Sequence, residues 1–351
     1  MFFNFINYFR GFAILLIVIG HLFGTVKVFN YANPQLNTLF TKSVFSLISG
    51  GTGLFVFISG FLFHHVFYKR GFNFKKFLHN KFKNVICPYT FVITPVIFFE
   101  LFFNPRYQKL YSTKLQLLKT LFLSYYSGTM LLATWYIPFA CLLFISSPLF
   151  IKFIELKKYH KRIIFFLMIL AGFVHRPAHD FTVNVFQALI YFSPIYCLGI
   201  YISMEKESFF KKFQDKSYIF GLLTIAILIL QIYTGKFLNS HKSILIYKGF
   251  DLVIFQKFFM CLYLVLFFNK FEKYFSDSCK KTFDILAEYS FPIFFIHNYI
   301  IQFLYPALGL ERESGYLGLV LLTISTLVLS IAFAYTVKSI FKKNSRYIIG
   351  G

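Results

Sequence analysis

The chain has 351 residues, of which 58% are hydrophobic, 23% aromatic and only 14% charged, with a formal net charge of +23. A soluble domain carries about 25% charged residues, so this composition excludes a water-soluble core and points to lipid as the solvent. The positive balance does not imply nucleic acid, because the lysines stand in short blocks between apolar runs, as in loops held near anionic lipid.

The alternation that a membrane β-barrel requires is absent, so the expected fold is an all-α, polytopic membrane helix bundle. About ten spans are expected, at 5–26, 45–67, 86–103, 134–154, 163–176, 184–203, 217–235, 247–268, 286–308 and 315–337. Residues 1–341 read as a single integral-membrane domain and 342–351 as a short cytoplasmic tail. The N-terminus lacks the basic flank and small-residue cleavage site of a secretory leader, so the first run is expected to stay.

The first span carries Arg10, ten uncharged residues and His21. Eleven helical positions rise about 16 Å and close to within about 20° of three whole turns, so both side chains lie on one stripe. Arg10 then sits near a membrane surface, with His21 about half a bilayer deeper. An imidazole at that depth can take a proton from a hydroxyl and return it to a leaving group. A histidine bonded to a helix carbonyl is the alternative. Arg10 favours the chemical reading, since a guanidinium suits phosphate.

The second span has Gly50-Gly51-Thr52-Gly53 at its outer end and Ser59-Gly60 within; small residues there allow either a ligand or another helix to approach. His64 and His65 follow and read as interfacial. Lys81, Lys83 and Asn84 precede Cys87-Pro88-Tyr89 at the third span, a basic approach open to a phosphorylated ligand. Glu100, near that span's outer end, either serves an acceptor site or snorkels. Trp135 opens the fourth span, Lys257 lies inside the eighth and His297 inside the ninth. The five cysteines show no CxxC or paired spacing, and His175, His179 and Asp180 sit in a proline-broken loop, so no metal site is expected. No Walker loop, GxSxG or HExxH is present.

The run 115–133 is apolar but has Lys119 and a polar middle from Ser124 to Thr129. If it does not cross and both termini are cytoplasmic, 24 of the 36 lysines and arginines fall inside. Were it to cross, the later basic blocks would move outside, against the positive-inside rule. It is therefore expected to be a re-entrant or surface segment over the outer mouth.

Four motifs in this order resemble a known pattern. The stretch from Asn7 through Arg10 to His21 resembles the opening of the acyltransferase-3 family, with its arginine, ten residues, histidine signature. Phe55 to Leu62, containing Ser59 and Gly60, resembles that family's second-helix motif; Thr134-Trp135-Tyr136 and Tyr289 to His297 resemble its later ones. Where the family has two arginines three apart, this chain has Lys81 and Asn84, so one cation is missing unless Lys83 substitutes.

The resemblance implies transfer of an acyl group, commonly acetyl, from acetyl-CoA or another cytoplasmic acyl-CoA to a hydroxyl of a glycan or lipid-linked sugar beyond the membrane. Arg10 with Lys81 and Lys83 would hold the donor, and His21 would act as base or carry the acyl group. Ser59, Gly60, Glu100, Trp135, Lys257 and His297 would line the chamber. The expected setting is a bacterial inner membrane, with membrane lipid as partner and a homodimer left open. The rival reading is a transporter or flippase of a lipid-linked glycan that uses His21, Lys257 and His297 as a path; such proteins often show related halves, which are absent here.

Overall fold

A computed structural model describes residues 3–26, 28–30, 32–156, 158–178, 184–310 and 315–350. His179, Asp180 and Arg312 lie outside the described residues. The fold is an all-α bundle; its β content is two residues, Arg176–Pro177 (β1), paired in parallel with His241–Lys242 (β2).

Helix α1 (Asn4–Thr25) has 22 residues, about 33 Å of rise, enough to match the hydrocarbon thickness. The next span is broken. Helix α2 (Leu39–Ile48) is capped by the Thr38 side chain, and α3 (Thr52–Leu62) continues through a π turn at Phe63–Tyr68. Between them Gly50 has φ of +76°, a left-handed conformation that side chains disfavour. The third span joins α4 (Phe74–Lys81), a π turn at Phe82–Ile86 and α5 (Cys87–Phe103).

Helix α6 (Lys114–Ser127) starts in a Thr113/Gln116 capping box and stops at Gly128, φ +63°. It exposes Leu115, Leu118 and Phe122, and the irregular stretch after it turns into the bundle. The polar middle of 115–133 is thus a helix end followed by cavity-lining backbone. Helices α7 (Tyr136–Ile145) and α8 (Ser147–Glu155) meet at a 54° bend. After α9 (His160–Val174) come α10 (Val185–Met204), α11 (Lys206–Tyr233) and α12 (Val253–Phe271). The chain continues through α13 (Asp277–Glu288), α14 (Ser290–Tyr299), α15 (Gly315–Phe341) and α16 (Ser345–Ile348).

The protein is a multi-pass membrane helix bundle. Among the described residues seven helices are long and apolar enough to cross a bilayer, or eight if α7 and α8 form one bent span. That is fewer than the ten expected. The difference lies at α9, which has only 15 residues, and at α14, which is separated from α13 at Tyr289 and loosened by a π turn at Ile300–Leu304.

Helix α10 forms the centre. Fifteen of its 20 residues are buried, and its Gly199 faces α3 while Gly60 of α3 faces α10. A Cβ added to Gly60 would run into the Tyr196 carbonyl oxygen. Such close backbone approach is how helices gain packing when lipid supplies no hydrophobic drive. Helix α11, by contrast, turns Leu222 and Ile229 outward at 63% and 60% exposure, as a lipid-facing surface does.

Several basic residues are tied to neighbouring elements. Lys270 pairs with Asp215 at 3.0 Å and Lys338 with Glu288 at 3.1 Å, while Lys206 lies over the Phe3 ring and Lys83 over Tyr347. His64 is not interfacial: it is buried, 2.9 Å from the Ser203 hydroxyl, because the π turn rotates it toward α10.

Candidate active site

A cavity of about 600 Å³ opens between α1, the broken second span, the stretch after α6, and α14. Leu16, Ile17, Gly20 and His21 form one wall, and Gly50, Gly51, Thr52 and Phe55 another. Thr129, Trp135, Arg176, Asn239, His241 and Ser290 add most of its polar atoms.

His21 stands in a pair. Its Nδ1 lies 3.0 Å from Nε2 of His297, and the two rings stack at 5.2 Å with planes 12° apart. Nδ1 of His297 is 2.7 Å from the Ile293 carbonyl oxygen. A carbonyl only accepts, so His297 Nδ1 donates, and its Nε2 must then accept from His21 Nδ1. This order leaves Nε2 as the basic nitrogen of His21, on a side chain that lines the cavity. His297 is fully buried and lines no part of the wall; it acts on the cavity through His21.

Arg10 follows the same stripe of α1. It donates to the Ala287 carbonyl, which also accepts from the Ser290 hydroxyl at 2.9 Å. Ser290 lines the cavity floor; Arg10 is not itself on the wall but is bonded to the backbone beneath it, where α1 and the 287–297 segment run side by side. Nε of Arg10 is buried with no hydrogen-bond partner, and no ion pair involves it among the described residues. A cation held this way leaves donors for an anion.

Trp135 lines the cavity, with the Arg176 guanidinium 5.2 Å above its ring. Besides His297, four residues expected in the chamber lie off its wall. Gly60 is a packing contact against Tyr196, and Ser59, its neighbour on α3, is not on the wall. Glu100 is buried near the end of α5, accepting from Asn104 at 2.6 Å. Among the described residues Lys257 pairs with no carboxylate: its Nζ donates to the Ser46 and Leu47 carbonyls at 3.2 and 2.7 Å. Those carbonyls are freed where α2 ends, and a cation at a helix C-terminus satisfies them.

The two lysines expected at the donor also separate. Lys81 is enclosed by the Phe67, Phe77 and Phe144 rings at 4.6 to 5.4 Å. Lys83 instead faces a basic pocket beside the chain's last residues.

Sequence reasoning missed Arg176, Asn239 and Ser290. Ser290 lies within the Tyr289 to His297 motif, and Arg176 in the loop that carries His175. Nothing local marks Asn239, which reaches the cavity from the loop between α11 and α12. Among the described residues no group of three or more His, Cys, Asp or Glu could hold a metal ion.

Comparison with curated proteins and with solved structures gave no match. The sequence model of the family described as "Acyltransferase domain" matches residues 3–336, nearly the whole chain and every element around the cavity. By that match the chain belongs to the acyltransferase-3 family and is a membrane acyltransferase.

Proposed function

We propose that the protein moves an acyl group, most simply acetyl, from cytoplasmic acyl-CoA to a hydroxyl of a glycan or lipid-linked sugar on the far side of a bacterial inner membrane. The carrying observation is the His21–His297 pair on the same face of α1 as Arg10. The distribution of lysine and arginine along the sequence supports a topology with ten crossings and both termini cytoplasmic, α9 and α14 being the short ones.

In this reading Arg10 meets donor phosphate at the cytoplasmic rim and the thioester reaches the cavity. His21 Nε2 takes the proton of the acceptor hydroxyl as its oxygen attacks the thioester carbonyl carbon. The C–O bond forms, the C–S bond breaks, and the departing thiolate takes the proton back from His21. His297 keeps Nδ1 of His21 protonated throughout, so the basic nitrogen always faces the substrate. Trp135 and Arg176 form the acceptor side, where a guanidinium over an indole offers hydrogen bonds to sugar oxygens.

The test is purified protein in nanodiscs with labelled acetyl-CoA and cell-envelope glycans. His21→Ala is expected to insert normally and transfer no label. Transfer at the wild-type rate by that variant would overturn the assignment.

A further inference from the structure

A pocket of about 490 Å³ at the end of α15 is lined by Lys83, Lys338, Lys342, Lys343, Ser345 and Arg346. Five of these six side chains are cations, and the wall contains no acid. Only Lys338 has a carboxylate partner among the described residues, Glu288 at 3.1 Å. Like charges converging on one hollow repel, and an anion relieves that repulsion.

The pocket is built rather than incidental. Lys342 has φ of +48°, a left-handed backbone that ordinary side chains disfavour, and it turns the chain back at the end of α15. Helix α16 then packs on α5, with Ser345 and Ile349 buried. Gly350 fits against the Phe291 ring and the Asn84 carbonyl, where a Cβ would collide with the ring. This fold-back brings three tail cations opposite Lys83.

Its position names the occupant. Phe291, touched by Gly350, lines the reaction cavity. Glu288, the partner of Lys338, follows Ala287, the acceptor of Arg10. The tail pocket, Arg10 and the cavity floor are therefore consecutive along residues 287–291. A ligand spanning them has a polyanionic head and an extended arm ending at His21.

We propose that the folded-back C-terminal segment is the docking site for the phosphorylated nucleotide end of the acyl donor, with Lys83, Lys342, Lys343 and Arg346 contacting its phosphates. This rests on the acyl-CoA reading above but concerns binding, which is measured without turnover. It also assigns a function to a segment that the sequence reads only as a short tail.

The experiment measures equilibrium binding of adenosine 3′,5′-bisphosphate and of CoA to the full chain in phosphatidylcholine nanodiscs. K342A/K343A/R346A is expected to weaken both at least 30-fold and to flatten the salt dependence of binding. Removing equal charge from another basic block, with K211A/K212A/K216A, is expected to change affinity less than twofold. The single variants K343Q and R346Q, each expected to lose about three- to tenfold, guard against a folding defect in the triple one.

Unchanged nucleotide affinity in K342A/K343A/R346A, or no binding by the wild type, would overturn the site. So would competition by added phosphatidylglycerol that abolishes nucleotide binding, since the pocket would then be a lipid headgroup site. Nucleotide binding lost in the triple variant but with no acyl transfer by the wild type would uphold the site and overturn the proposed function instead.

Discussion

The two hollows of this protein are opposites. The larger, about 600 Å³, is walled by aromatic and small residues, with a few polar groups placed singly and a histidine pair at one side. The smaller, about 490 Å³, is almost all cation and has no comparable relay. A thioester and a hydroxyl need an enclosed place with one well-oriented base; a polyphosphate needs charge at a wet rim. Arg10 stands between them, bonded to the backbone that forms the floor of the first and leads to the second.

Variants test this division of labour. His21→Ala should lower transfer by about 10²- to 10⁴-fold, the range for a general acid–base group, without changing donor binding. If CoA affinity fell instead, the two hollows would not be separable. His297→Ala removes the group that fixes the tautomer of His21 and should lower kcat about 10- to 100-fold with KM for donor unchanged. A normal kcat would reduce His297 to packing.

Arg10→Ala removes a cation at the junction and should raise the donor KM about tenfold, the equivalent of about 1.4 kcal/mol. An unaltered KM measured over a range of acyl-CoA concentrations would remove it from the donor path. Lys257→Met leaves two helix-end carbonyls without their donor and should destabilise the bundle by about 1–3 kcal/mol, read as earlier thermal unfolding in detergent. Loss of turnover at full stability would return Lys257 to the chemistry.

The smallest expected effect separates neighbours. Lys83→Ala should raise the donor KM a few-fold, as expected for one phosphate contact at a screened rim, whereas Lys81→Met, inside its aromatic cage, should leave it within twofold. The reverse order would exchange their roles.

The shared face of Arg10 and His21 was legible in α1 from helical periodicity, and both side chains contact the 287–297 segment. Ser59, Gly60, Glu100 and Lys257 were misplaced for a different reason. A polar or small residue in an apolar run signals a cost that must be met, but not by what. Gly60 meets a helix backbone, Lys257 a helix end and Glu100 an asparagine. Gly60 and Lys257 depend on partners more than a hundred residues away, and Glu100 on one a single helical turn along the chain.

The linear sequence determined that lipid is the solvent, that helices carry the chain and that a base and a cation share a stripe, since these follow from transfer free energy and a fixed helical period. Which nitrogen of His21 is basic was decided only when α14 brought His297 and the Ile293 carbonyl alongside. Likewise the closing of the last basic block around Lys83 required the backward turn at Lys342 and the fit of Gly350 against Phe291. Hydrogen-bond direction and the convergence of charge are properties of pairs in space, and a linear pattern does not specify which pairs meet.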